Sequence, residues 1–367
     1  MSTHKIHLIA GARPNFMKIA PLFHALKSES WAEPLIVHTG QHYDSSMSDN
    51  FFRDLELPEP NYSLGIGSGS HAEQTARMLI AYEKICIDSP PKLVVVVGDV
   101  NSTLGACLVA KKLGLQVAHL EAGLRSFDRQ MPEEINRILV DSISDILWTP
   151  SPDGDMNLLN EGNPGRVKCV GNIMIDSLIS ILPRINREFA AQEIGISSPY
   201  TAVTLHRPGN VDQMNVLGEI VKQLEALAKE MPLIFPTHPR TLNRLKEFNL
   251  LTRLKENSNI HLLEPLGYME FIGLVVGASL ILTDSGGLQE EASYLNIPCI
   301  TVRPSTERPT TIKEGTNLLC DPPSIFEAFE KMLSSPPKKI SIPLWDGQTA
   351  ARIVTDLKDY FQISTSN

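Results

Sequence analysis

Asp99 and Glu121 stand where a buried sheet would be apolar. Asp99 follows the run LVVVVG (93–98), and Glu121 closes the next apolar run, VAHL (117–120). In an open α/β sheet the carboxyl ends of the strands face the ligand crevice. A carboxylate there is partly desolvated, and burial or a like charge raises its pKa and poises it for proton transfer. Asp99 also has a structural alternative, as the N-cap of a helix starting near Asn101. Glu121 has less of one, because Glu is a poor cap and the following AGLR opens no helix. Glu133 and Glu134, in PEEINR, follow Pro132 in a first helical turn, where an acid favours the dipole. One of the two therefore has a structural explanation.

Other stretches suit anion binding. In GARPNFMK (11–18), Gly11 permits a tight turn and Pro14 suits the start of a helix. Arg13 and Lys18 then lie near free backbone N–H groups, a place that attracts phosphate or carboxylate. TLHRPGN (204–210) brings His206 and Arg207 to a strand end, and THPR (237–240) repeats the placement with His238. Histidine is the natural acid or base near neutrality. TDSGGLQEEA (283–292) is the sharpest motif of the second half. The Ser285 hydroxyl and the N–H groups of Gly286 and Gly287 make an anion cradle at a helix start, and Glu291 is placed to accept from a ribose diol. Arg308, in RPSTERPTT, is a second diphosphate ligand. These residues suggest a nucleotide-diphosphate anchor in the second half and acid/base residues mostly in the first. GxSxG, HExxH and Cys/His clusters are absent, so neither a nucleophile elbow nor a zinc site is expected.

The elements that position these residues follow from the pattern. Short aliphatic strands alternate with amphipathic stretches: IHLIA (6–10), PLIVHTG (34–40), LVVVVGD (93–99), VAHLEA (117–122), ILWTP (146–150) and VKCVG (167–171). The series restarts with YTAVTLH (200–206), PLIFPTH (232–238), NIHLLEP (259–265), LILTDSGG (280–287) and PCITV (298–302). Continuous aliphatic strands between helices mean parallel sheets covered on both faces. The fold class expected is α/β, two Rossmann-like doubly wound domains facing a cleft. The boundaries expected are 1–174 for the first domain, 175–199 for a linker and 200–345 for the second. Residues 346–367 are expected as a helix returning to the first domain.

With 367 residues there is room for two cores, and a net charge of −9 without long basic runs argues against nucleic acid or a membrane surface as partner. No apolar run reaches the length of a membrane span, and the N-terminus lacks the pattern of a signal peptide. Five scattered cysteines without CxxC spacing fit free thiols in the cytoplasm.

Taken in order, GARPNFMKIAPL, TGQH, VVVVGDVNSTL, HLEAGLRS, MPEEINR, VGNIMID, HR, THP, LTDSGGLQEEA, TERPTT and DGQTAARI carry a resemblance. The chain resembles the non-hydrolysing UDP-N-acetylglucosamine 2-epimerases over almost its full length. The resemblance implies the glycosyltransferase-B fold, a homodimer and no cofactor. It implies reversible conversion of UDP-GlcNAc to UDP-ManNAc through elimination and re-addition of UDP. By motif match it makes Asp99, Glu121 and Glu133 the catalytic carboxylates and His206 their partner near the diphosphate. Arg13, Lys18, His238, Ser285, Gly286, Gly287, Glu291 and Arg308 become substrate contacts, and Phe271 a neighbour of uracil. The chain departs from the family pattern at Asn15, at Pro208 and Gly209, and at Tyr43 after Gln41 and His42. The second, regulatory UDP-GlcNAc site of bacterial members is therefore not expected. Alternatives from the same residues are a 2-epimerase of a UDP-2,3-diacetamido uronate, a hydrolysing epimerase and a glycosyltransferase.

Overall fold

The computed structural model describes residues 3–11, 13–40, 52–197, 199–337 and 341–363. The chain divides into two compact units, residues 1–181 with 343–367, and residues 182–342.

The first unit holds a seven-stranded sheet. Its strands are β1 (His4–Ala10), β2 (Ala32–His38), β3 (Tyr62–Ser63), β4 (Leu93–Val97), β5 (Gln116–Leu120), β6 (Ile146–Thr149) and β7 (Arg166–Cys169), in the order β3-β2-β1-β4-β5-β6-β7. Every pairing is parallel; Leu8 of β1 sits opposite Ile36 on one side and Val95 on the other. All five residues of LVVVV are buried, as a central strand covered on both faces requires. Helix Ile173–Ile181 continues this unit past the boundary expected at 174. Seven of its nine residues are buried and Ser177 donates to the Met17 carbonyl, so it is a core element with no polar face for periodicity to detect. Helix Thr349–Tyr360 closes the unit. The Asp176 carboxylate accepts from the N–H groups of Thr349 (3.2 Å) and Ala350 (2.8 Å), capping that helix from another element. Ile353, Val354 and Leu357 bury its inner face.

The second unit holds β8 (Thr201–Thr204), β9 (Leu233–Pro236), β10 (Ile260–Leu263), β11 (Leu280–Thr283), β12 (Cys299–Val302) and β13 (Asn317–Cys320), all parallel, in the order β10-β9-β8-β11-β12-β13. One core cluster runs from Val203 and Leu205 through Ile220, Leu224 and Phe235 to Phe329. Two strands were not foreseen, β3 and β13. The first is two residues long, and the second lies in GTNLLCD, a polar setting with no flanking aliphatic run. Among the described residues, no helix is long and apolar enough to cross a membrane.

Both sheets carry a topological switch point. The order reverses between β1 and β4 in the first and between β8 and β11 in the second. Connections leaving adjacent strands there diverge to opposite faces and open a crevice at the strand ends. Asp99 follows β4, His206 follows β8 and Ser285 follows β11, so the topology itself selects these residues.

Candidate active site

In the first unit the chain leaves β1 through Gly11 and enters helix Arg13–Lys27. A methyl at Gly11 would sit 2.5 Å from the Ser102 hydroxyl, so the close approach requires glycine. The Arg13 side chain lies outside the described residues, as do Gln41, His42 and Tyr43. Asn15 folds back, accepting from Gly11 N at 3.1 Å and donating to the Val97 carbonyl at 3.3 Å. One turn on, the buried Lys18 ammonium is ion-paired to Glu121 Oε2. Lys18, expected at a phosphate, is thus held against a carboxylate.

Glu121 is 4% exposed and has φ = 72°. A left-handed non-glycine costs on the order of 1–3 kcal/mol, and such strain persists where the surroundings over-determine it. Here the Glu121 N–H donates to the Trp148 carbonyl at 3.1 Å, fastening the turn to β6. Its Oε1 is buried with no hydrogen-bond partner among the described residues. An orphan of that kind marks a place for a donor, or for a proton in transit.

Asp99 does not cap the following helix. Val100 holds the N-cap of Asn101–Lys112, and no side chain caps it. The half-buried Asp99 carboxylate instead pairs with Arg137 Nη1 at 2.8 Å, while Asn136 donates to the Asp99 carbonyl at 2.8 Å. The two acids of PEEINR separate cleanly. Glu134 is 1% exposed and accepts from Ser126 N, Ser126 Oγ, Phe127 N and Arg137 Nε at 2.9–3.1 Å. It is the structural member. Glu133 is exposed and makes no ion pair among the described residues. Arg137 lies outside the expected set; its spacing three residues after Glu134, its helical ion-pair partner, was the available signal.

In the second unit Asp284 organises the strand ends. Fully buried, it accepts from His206 N, Arg207 N and Asn210 Nδ2, and its Oδ1 lies 3.0 Å from His206 Nδ1. Burial pushes its carboxyl up, but the bonds from His206, Arg207 and Asn210 outweigh that and hold it below the usual range. A carboxylate on Nδ1 leaves His206 Nε2 as the outward nitrogen. The His238 ring lies 5.5 Å from that of His206. Its Nδ1 accepts from Arg240 N at 3.1 Å, and burial together with His206 lowers its pKa, so it presents a neutral ring with the proton on Nε2.

Ser285 is the N-cap of helix Gly286–Leu295, yet its hydroxyl makes no capping bond. The first N–H groups of the helix lack intrahelical partners, so hydroxyl and backbone donors are open together. A Cβ on Gly286 would fall 2.8 Å from Arg308 Nη1, which places that guanidinium over the helix start. Glu307 gathers three cations: Arg303 at 2.7 Å, Arg207 at 4.0 Å and Arg308 in close contact. Its carboxyl lies far below the ordinary range, because Arg308 and Arg303 overcome the upward push of burial. Burial first, then Arg303, lowers the Arg207 guanidinium, a crowding that a bound anion relieves. Arg308 also pairs with Glu290 at 3.0 Å. Glu291 is buried and accepts from the Tyr268 hydroxyl at 2.7 Å; burial lifts its carboxyl to about 7. Phe271 is half-buried on helix Tyr268–Gly277 and packs on the cluster of Val275, Ile281 and Leu288. Arg303 and Glu307, the residues behind the grip, had not been foreseen, since ion-pair partners within one loop carry no periodic signal.

The fold and these two groups of side chains define a class: an α/β enzyme of two Rossmann-like units, with acids at one switch point and an anion grip at the other. Comparison with known proteins narrows it. The family model described as UDP-N-acetylglucosamine 2-epimerase matches residues 24–358. A relative from Methanococcus maripaludis, UDP-N-acetylglucosamine 2-epimerase, is 42% identical over 360 residues, 96% of this chain and 97% of its own. The UDP-2,3-diacetamido-2,3-dideoxy-D-glucuronate 2-epimerase of Pseudomonas aeruginosa is 40% identical over 321 residues, 86% of this chain and 88% of its own. The crystal structure of Methanocaldococcus jannaschii UDP-GlcNAc 2-epimerase in complex with UDP-GlcNAc and UDP is similar with a TM-score of 0.89 at 44% identity, covering 97% of this chain and 99% of that one. The chain belongs to the UDP-N-acetylglucosamine 2-epimerase family.

Proposed function

We propose that this protein interconverts UDP-N-acetylglucosamine and UDP-N-acetylmannosamine. A carboxylate of the set Asp99, Glu121 and Glu133 takes the C2 proton. The C1–O bond breaks with its electron pair going to UDP, leaving a C1–C2 double bond in 2-acetamidoglucal. A proton then enters C2 from the opposite face and UDP adds back to C1. Ser285, Gly286, Gly287, Arg308 and Arg13 hold the diphosphate, with Lys18 on the same side as Glu121. His206, oriented by Asp284, and His238 serve the leaving oxygen. Glu291 accepts from the ribose, and Phe271 flanks the base.

The observation that carries this reading is Glu121: a buried, strained carboxylate held by Lys18 at one oxygen and partnerless at the other. NMR of UDP-GlcNAc incubated with the protein tests it. UDP-ManNAc should appear without free sugar. ManNAc released with an equal amount of UDP would indicate hydrolysis. Turnover of the diacetamido uronate nucleotide alone would move the activity to that substrate.

The protein acts in the cytoplasm, where free thiols such as the buried Cys86, Cys107 and Cys299 stay reduced, and as a homodimer. What supports the dimer is a run of exposed aliphatics: Ile80 and Ile87 on helix His71–Asp88, and Ile135 and Leu139 on helix Pro132–Ile143. Both helices pack against Asn101–Lys112, so the exposed aliphatics belong to neighbouring elements of the first unit. Light scattering on the wild type and on Ile87→Asp would show a dimer and its loss.

A further inference from the structure

We propose that His119 is a doubly protonated positioning residue that clasps together the two turns bearing Asp99 and Glu121. This rests on the reading above that those two acids handle the C2 proton. His119 is fully buried in β5, between Val96 of β4 and Leu147 of β6. Its Nε2 lies 2.9 Å from the carbonyl oxygen of Gly98, the residue before Asp99. Its Nδ1 lies 2.6 Å from Asp141 Oδ1. A carbonyl can only accept, so Nε2 carries a proton. Asp141 accepts at its other oxygen from Arg125 Nη1 at 2.7 Å and from Gly123 N at 3.0 Å, so it is an ionised acceptor and Nδ1 carries a proton too. Burial pushes the Asp141 carboxyl up, but His119 and Arg125 outweigh it and hold the group below its ordinary range. The ring is an imidazolium that no solvent reaches, and Arg125 is balanced in turn by Glu161 at 2.6 Å.

The clasp has a geometric purpose. Gly98 and Glu121 both sit at positive φ, 66° and 72°, and so does Gly123 at 78°. Through one ring and one carboxylate, the carbonyl that precedes Asp99 is tied to the N–H that follows Glu121 by two residues. The Gly98 position is tight as well: a Cβ there would fall 3.1 Å from Lys18 Nζ, the partner of Glu121. Loosening His119 frees both turns at once, the strained one at Glu121 included.

Two measurements test this on the full-length chain. In the wild type labelled with 15N-histidine, one imidazole should show both nitrogens protonated at neutral pH; a neutral tautomer for every buried ring would overturn the proposal. In His119→Gln, compared with the wild type at matched substrate, kcat should fall on the order of a hundredfold while KM moves little, the scale of a small misplacement of reacting groups. The pH profile of kcat should shift as well, because both acids change surroundings. A folded His119→Gln with unaltered kcat and pH profile would mean the ring is only structural. An inactive wild type would instead defeat the epimerase reading, while the NMR result still stands for the charge of the ring.

Discussion

Glu133 and Glu134 are adjacent, chemically identical and differently employed. Glu134→Gln removes the charge that four donors address and leaves Arg137 short of a partner, and breaking a buried pair costs about 3 kcal/mol. Glu133→Gln, on an exposed side chain, should change stability by less than about 0.5 kcal/mol. Urea unfolding measures both, and activity should be lost in each for different reasons. Glu291 gives a pH signature. Its carboxyl, raised to about 7 by burial, must be ionised to accept from a ribose diol. UDP affinity should therefore weaken about tenfold between pH 8 and pH 6, since only the ionised fraction is competent. Calorimetric titration from pH 8 to 6 checks it, and Glu291→Gln should flatten the dependence. The sequence exposed the acids because a charge at the end of an aliphatic run is conspicuous. It hid Arg137 and Asp141, whose partners lie 38 and 22 residues away and meet them only after the sheet is assembled.

Elements decided which readings were available in advance. Strands such as LVVVV and LILT announced themselves, because both faces are buried and no polar alternation interrupts them. Helix Ile173–Ile181 runs into the segment from 175 expected as a linker, since an apolar segment without a polar face gives neither a strand nor an amphipathic pattern. Its Asp176 is the cap of helix Thr349–Tyr360, more than 170 residues further on. Asp176→Ala should cost about 1–2 kcal/mol, the ordinary range for a lost cap. Amide hydrogen exchange should rise first in residues 349–352. Unchanged protection there would mean that burial of Ile353 and Leu357 alone holds the helix.

At the scale of the whole molecule the two-unit α/β plan was legible from the restart of the strand series at residue 200. The sequence did not show where the first unit ends. Acid stability belongs to this scale too. His7 is fully buried on β1, beside the Tyr82 hydroxyl at 3.1 Å, and burial with Lys5 lowers its pKa from 6.5 to about 4. The folded chain keeps the ring neutral, whereas the unfolded chain protonates it below about 6.5. Its contribution is whole above that value and is lost as pH falls toward 4, amounting to about 3 kcal/mol. Urea midpoints between pH 7 and 4 should decline accordingly, and less so in His7→Gln.

Epimerisation by elimination requires that a proton leave and re-enter C2 of one bound sugar nucleotide. Incubation with UDP-GlcNAc in deuterated water, read by NMR and mass spectrometry, tests it most directly. UDP-ManNAc bearing one deuterium at C2 should form, with exchange abolished in Glu121→Gln. Product that retains its original hydrogen at C2 would contradict it.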